Sequence, residues 1–200
     1  MPRPKIYDQE LKRRLLDEAG RVVTKHGLDA LTLRRISADA GTSTSAIYAL
    51  IGGRDELILE LFVEAYRSFG AAQFAVVPTG DTAVDLRALA LAYRTWALEH
   101  SYLYQVMFGG VLGDLELTEE QRDSCRATLE PLHTVVSAGL GSGALQGGTP
   151  DELTIGFWGL VHGLVSLELT TNVELPAETR AGIFEAAVSA LTRGWQGTRS

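Results

Sequence analysis

Residues 32–50, TLRRISADAGTSTSAIYAL, constrain this chain more than any other stretch. Thr32 can cap a helix over 33–40 with its hydroxyl, Gly41 can take the left-handed conformation that ends it, and Ser43 can cap a second helix reaching Leu50. Leu33, Ile36 and Ala40 share one face of the first helix, and Ile47 and Leu50 share one face of the second. Those faces bury each other, which makes a helix-turn-helix. The second helix then carries Thr44, Ser45 and Tyr48 at its outer tip, and units of this shape place that tip in the major groove of DNA.

Charge follows the same division. The chain carries −7 overall, yet residues 1–54 hold ten Lys/Arg against six Asp/Glu, while the acidic excess lies in the rest. Phosphate neutralisation is local over a Debye length of roughly 8 Å, so a basic head can bind DNA beneath an acidic body. Arg34 and Arg35 sit in the first turn of their helix, where cations oppose the helix dipole. Phosphate contact is one reason for that placement, and solvation beside acidic neighbours is the other. The segment before the motif predicts an amphipathic helix over 8–26 on Leu11, Leu15, Ala19, Val22 and Val23. Ahead of it, Arg3 and Lys5 form an arm that either reaches the duplex or stays disordered.

From Leu11 to Leu61 these features resemble the DNA-binding domain of TetR-family transcriptional regulators. The resemblance rests on His26-Gly27, Leu28-Asp29-Ala30-Leu31-Thr32, Ile36-Ser37-Ala38 and Ala40-Gly41. Two positions depart from the family pattern. Leu50-Ile51 stands where many members have a His-Phe pair, so no histidine contact to phosphate is expected, and Arg54 takes the place of a lysine. The resemblance implies an all-α dimer whose C-terminal domain binds a small molecule. Its DNA-contacting set maps onto Thr32, Arg34, Arg35, Ser43, Thr44, Ser45, Tyr48 and Arg54. The second helix lacks Arg, Lys, Asn and Gln, so direct base readout is modest and specificity leans on paired half-sites, DNA shape and water.

The remaining chain predicts helices throughout, about nine in all: a linker helix over 54–76, then helices over 82–100, 102–111, 118 to the glycine-rich GLGSGALQGG with an interruption or a kink at Pro131, 151–171 and 176–195. This gives a head over 1–53 and a ligand-binding and dimerising body over 77–200. At 1.5 Å per residue the linker helix spans about 30 Å. WGLVHG at Trp158–Gly163 and YQVMF at Tyr104–Phe108 resemble the WHG-type C-terminal domain of one branch of the same family, in which the last two helices pair across a dimer. Gly156, Gly159, Gly163, Ser166 and Thr170 make a smooth stripe on which another helix can lie closely. The interface set is Gly156, Gly159, Leu160, Gly163, Leu167, Ile183, Phe184, Ala187 and Leu191. For a ligand pocket the candidates are Tyr93, Trp96, Met107, Phe108, His133, Phe157, Trp158 and His162, an aromatic set that plain core packing explains equally well.

Other classes find less support. The single cysteine, Cys125, excludes an internal disulfide and points to a reducing cytosol. His26, His100, His133 and His162 show no metal-ligand spacing, and no phosphate loop or nucleophilic triad is present, so no cofactor, metal or catalysis is expected. No apolar stretch is long enough to span a membrane, which makes a cytoplasmic protein the expectation. The reading is a DNA-binding repressor acting on a pseudo-palindromic double-stranded operator and released by an apolar or aromatic effector. Its alternatives are a repressor without a ligand, and a helical small-molecule-binding protein or enzyme.

Overall fold

Periodic apolar side chains set each helix, and burial ranks them as their spacing does: Leu11, Leu15, Ala19, Val22 and Val23 of the first helix are all buried. The computed structural model describes residues 5–113, 115–170 and 175–196, within which the chain is all α with no strand. Arg3 lies outside the described residues. The order is α1 (Lys5–His26), a 3₁₀ turn (Leu28–Ala30), α2 (Leu33–Asp39), α3 (Thr44–Leu50), α4 (Arg54–Phe74), α5 (Thr82–Glu99), α6 (Ser101–Phe108), α7 (Glu119–Ala127), α8 (Glu130–Ser142), α9 (Pro150–Thr170) and α10 (Ala177–Trp195).

Two compact units divide these helices, and α4 contributes to both. The first contains residues 1–68 and 100–125, the second residues 69–99 and 126–200. In the first unit, Leu31, Ile36 and Ile47 are wholly buried with Leu15 and Ala19 of α1, and Leu57 and Leu61 of α4 join them. Helix α6 packs on α1 in the same unit. Tyr102 sets its ring over Gly20, where a Cβ would collide with it, and its hydroxyl lies 3.4 Å from an Asp17 carboxylate oxygen. The contact units therefore do not follow the division at residues 53 and 77, because residues 100–125 return to the head.

The second unit is a bundle of α5, α8, α9 and α10 with the end of α4. Phe69 of α4 meets Tyr93 and Trp96 of α5 edge-on, with ring centroids 5.0 and 5.2 Å apart, an arrangement the aromatic quadrupole favours. At Pro131 the chain takes the interruption rather than the kink, which adds one helix to the nine expected. The helix over 118 to the glycine-rich loop is two helices, broken at residues 128 and 129, so ten α-helices stand among the described residues. Pro131 is the cause: it lies in the first turn of α8, where its missing N–H costs nothing, and it cannot continue a helix from the preceding turn.

Candidate DNA-binding interface

The helix-turn-helix is built by its caps. Thr32 Oγ1 accepts the Arg35 N–H at 3.3 Å and Ser43 Oγ accepts the Ala46 N–H at 3.2 Å, so each hydroxyl caps the helix it begins. Gly41 takes φ 65°, the left-handed turn between them. A buried Ile47 fixes the roll of α3. The roll leaves Ser45 exposed, Thr44 half-exposed and Tyr48 62% exposed. On α2, Arg34 is exposed, and Arg35 is half-exposed with its Nε 3.7 Å from Asp39.

Arg54 is used differently from the sequence expectation. Its Nε and Nη2 donate to the carbonyls of Leu31 and Leu28, each at 2.9 Å, and its Nη1 lies 3.8 Å from Asp55. It ties the start of α4 to the turn that precedes α2, and so positions the motif. Glu56 completes that corner by accepting the Gly53 N–H at 2.7 Å. Lys12 of α1 pairs with Glu60 of α4 at 2.7 Å. No local pattern pointed to the ties made by Arg54 to the carbonyls and by Lys12 to Glu60, because their partners are far apart in the chain.

In the second unit, Tyr93, Phe157 and Trp158 converge on a small cavity of about 20 Å³, with Phe69, Gln73 and Thr128 as neighbours that the sequence reading missed. That space suits one water-sized body. Tyr93 OH and His162 Nδ1 are hydrogen-bonded at 3.0 Å, and burial holds the His162 imidazole below its ordinary pKa, which favours the neutral ring. Trp96 is buried against Phe69. Three of the pocket candidates stand elsewhere. Met107 and Phe108 belong to the first unit, where the Phe108 ring packs at 4.9 Å from Tyr104. His133 is exposed on α8 with Nε2 3.2 Å from Asp151, since the α7–α8 break sets the phase of α8 and turns this position outward.

The interface set also resolves. On α9, Ile155 and Leu167 are 54% and 55% exposed, Gly156 and Gly159 are exposed, and Leu160 and Gly163 are half-buried. A Cβ at Gly159 or Gly163 would meet nothing within 4 Å, so their smallness serves no packing in their own chain. Thr170, the last residue of that stripe, has a side chain outside the described residues. On α10, Ile183 is 47% exposed, and Ala187 and Leu191 are half-buried beside it. Phe184 is the correction: it is 2% exposed, turned into its own bundle with Arg94 5.6 Å above the ring, and has no surface to offer.

A three-helix head with a capped, outward-facing third helix, followed by an all-helical second unit, defines the class of helix-turn-helix regulators. Residues 15–61 match the model of bacterial regulatory proteins of the tetR family, and residues 86–191 match that of the tetracyclin repressor-like C-terminal domain. This chain belongs to the TetR family. It is 28% identical over 106 residues to the HTH-type transcriptional regulator Mb1846 of Mycobacterium bovis, and the match covers 50% of this chain and 44% of that protein. It thus spans about half the length of the curated relatives it matches. Among solved structures it is similar to the regulatory protein SCO4313, with TM-score 0.76 and 28% identity over 96% of this chain and 98% of that one. The TetR family transcriptional regulator PfmR from Thermus thermophilus shares the fold, with TM-score 0.73 and 18% identity over 94% of this chain and 100% of that one. No helix among the described residues is long and apolar enough to cross a membrane.

Proposed function

We propose that this protein is a dimeric transcriptional repressor that binds a pseudo-palindromic operator in the cytoplasm and leaves it when a small, largely apolar or aromatic effector binds the second unit. The observation that carries DNA binding is the 62% exposure of Tyr48 on α3, the helix that also carries the exposed Ser45 and half-exposed Thr44, with the exposed Arg34 and half-exposed Arg35 on α2. Hydroxyl groups at such a tip reach phosphates and base edges, and Arg34 and Arg35 supply phosphate neutralisation. Thr32 and Ser43 act by capping, and Arg54 by holding the motif in place.

Dimerisation is supported by the exposed apolar face of α9 and α10 and by glycines open to a second helix. Two heads then bind one duplex together, which offsets weak readout by each. The release step is supported by the aromatic lining of the second unit and by α4, which is a single helix with residues in both units. An effector lowers operator affinity by its differential affinity for two arrangements of the heads. A repressor without an effector is the second reading, favoured by the small volume of the cavity at the centre of the aromatic set, about 20 Å³.

Anisotropy of a labelled fragment from the DNA upstream of this gene tests the proposal. Tight binding is expected at low salt, Tyr48→Phe and Arg35→Ala each weaken it, and Arg35→Ala also lowers the salt slope by about one. Equal affinity for any sequence, or an unchanged slope, rejects the assignment.

A further inference from the structure

Gln73, near the end of α4, is 5% exposed, and its Nε2 meets no hydrogen-bond acceptor among the described residues. A buried donor left in this state is costly, so native structures keep few of them without a use. Gln73 and Leu89 form a wall common to two spaces in the second unit. One is the small cavity of about 20 Å³. The other is a groove of about 270 Å³ opening between the end of α4, the loop after it, α5 and the first turns of α8, with Phe74, Pro78, Pro131 and Val135 as apolar surface.

We infer that this groove is the effector site, and that the Gln73 amide selects within it a neutral, single-ring apolar ligand bearing one hydrogen-bond acceptor. The inference rests on the reading of the second unit as ligand-sensing.

Volume sets the size: the groove exceeds the roughly 150 Å³ that admits benzene and falls short of the range, from roughly 300 Å³ upward, of pockets for drug-sized ligands. Charge sets the sign. Among the described residues, Asp85 and Glu130 are the only ionisable groups lining the groove, so no Lys or Arg is there to hold an anion. An ammonium is no better served. Asp85 already accepts from the Thr79 N–H at 2.8 Å, the Thr79 hydroxyl at 2.7 Å and the Gly80 N–H at 3.1 Å, and an ammonium has no lone pair for the Gln73 donor. Burial pushes the Asp85 carboxyl upward in pKa, but those hydrogen bonds outweigh it and keep the group ionised. The terminal torsion of glutamine is soft, so its amide turns readily toward an acceptor brought past Leu89.

The test uses the full chain, selectively ¹⁵N-labelled on glutamine side chains, and three probes of one shape. Acetophenone has the ring and the acceptor, ethylbenzene lacks the acceptor, and benzoate adds a negative charge. Acetophenone is expected to shift the Gln73 amide resonances saturably, with ethylbenzene about fivefold weaker, the worth of one net hydrogen bond, and benzoate weaker still. Gln73→Leu, which keeps bulk without a donor, is expected to bind acetophenone and ethylbenzene equally, and the wild-type series stands whether or not the variant folds. No shift of Gln73 at millimolar acetophenone overturns the site, as does an exchange peak to a long-lived water that no probe displaces. So does a preference that survives Gln73→Leu. Operator affinity separates this from the reading beneath it. If acetophenone engages Gln73 and operator affinity does not change, the site stands and effector release falls. If the probe weakens operator binding while Gln73 stays still, release stands and this site falls.

Discussion

Removing the Glu168 carboxylate is expected to destabilise the second unit more than any other single change of one polar side chain. Glu168 on α9 has a side chain 7% exposed and receives two N–H bonds from Arg94 of α5, at 2.8 and 2.7 Å. The Nε of Arg180, on α10, lies 3.4 Å from the same carboxylate, so one anion ties three helices. Glu168→Leu leaves two guanidinium groups facing each other, with Arg94 only 16% exposed. Breaking a buried pair from one side costs about 3–5 kcal/mol, because the surviving charge has lost both water and partner. With an m-value of roughly 2 kcal/mol/M, that moves the urea midpoint down by about 2 M. The double change Arg94→Met with Glu168→Leu is expected to recover most of the loss, since Arg180, 36% exposed, can turn to solvent. Tryptophan fluorescence follows the transition at fixed protein concentration, with Trp96, Trp158 and Trp195 all in this unit. A loss below about 1 kcal/mol for Glu168→Leu, the worth of a surface pair, would refute the reasoning. So would a double variant no more stable than the single one.

Three further outcomes are expected. Arg54→Ala removes two charge-assisted bonds to carbonyls and is expected to cost the head about 2 kcal/mol, seen as faster amide exchange in α2 and α3, with the operator salt slope unchanged. A slope lowered by about one would instead make Arg54 a phosphate ligand. Gly159→Leu is expected to leave the helical content intact, because that position is open, while shifting sedimentation from dimer to monomer. A dimer of wild-type affinity would place the interface elsewhere. His162 has a native pKa held below its ordinary 6.5 by burial, so the unfolded chain takes up the proton first. Its contribution is complete above about pH 6.5 and is lost as pH falls through the lower native value. His162→Gln is expected to flatten urea midpoints across that window, and an unaltered pH profile would show that His162 is not its source.

How much was legible in advance depended on the distance over which each feature is decided. The caps at Thr32 and Ser43, the left-handed Gly41 and the buried Ile36 and Ile47 are all settled within one helical turn, so the residues alone placed the motif and the outward face carrying Tyr48. The stripes of α1, α9 and α10 were equally readable, because a 3.6-residue period is a local property. The break before α8 was half-visible, since Pro131 marks a disruption while only the packing of Leu132 and Val136 chooses a restart over a kink.

Tertiary structure decided what needed partners many residues apart. Arg54 reads as a phosphate ligand until the carbonyls of Leu28 and Leu31 arrive beside it, and Tyr102 reads as one more aromatic until Gly20 admits its ring. Met107 and Phe108 look like companions of Trp158, yet α6 packs on α1, so they lie in the first unit. A helical period says which residues share a face. It cannot say which face of which helix will meet it, and that choice put Phe184 inside and set Gln73 in the wall of a groove with its amide nitrogen buried.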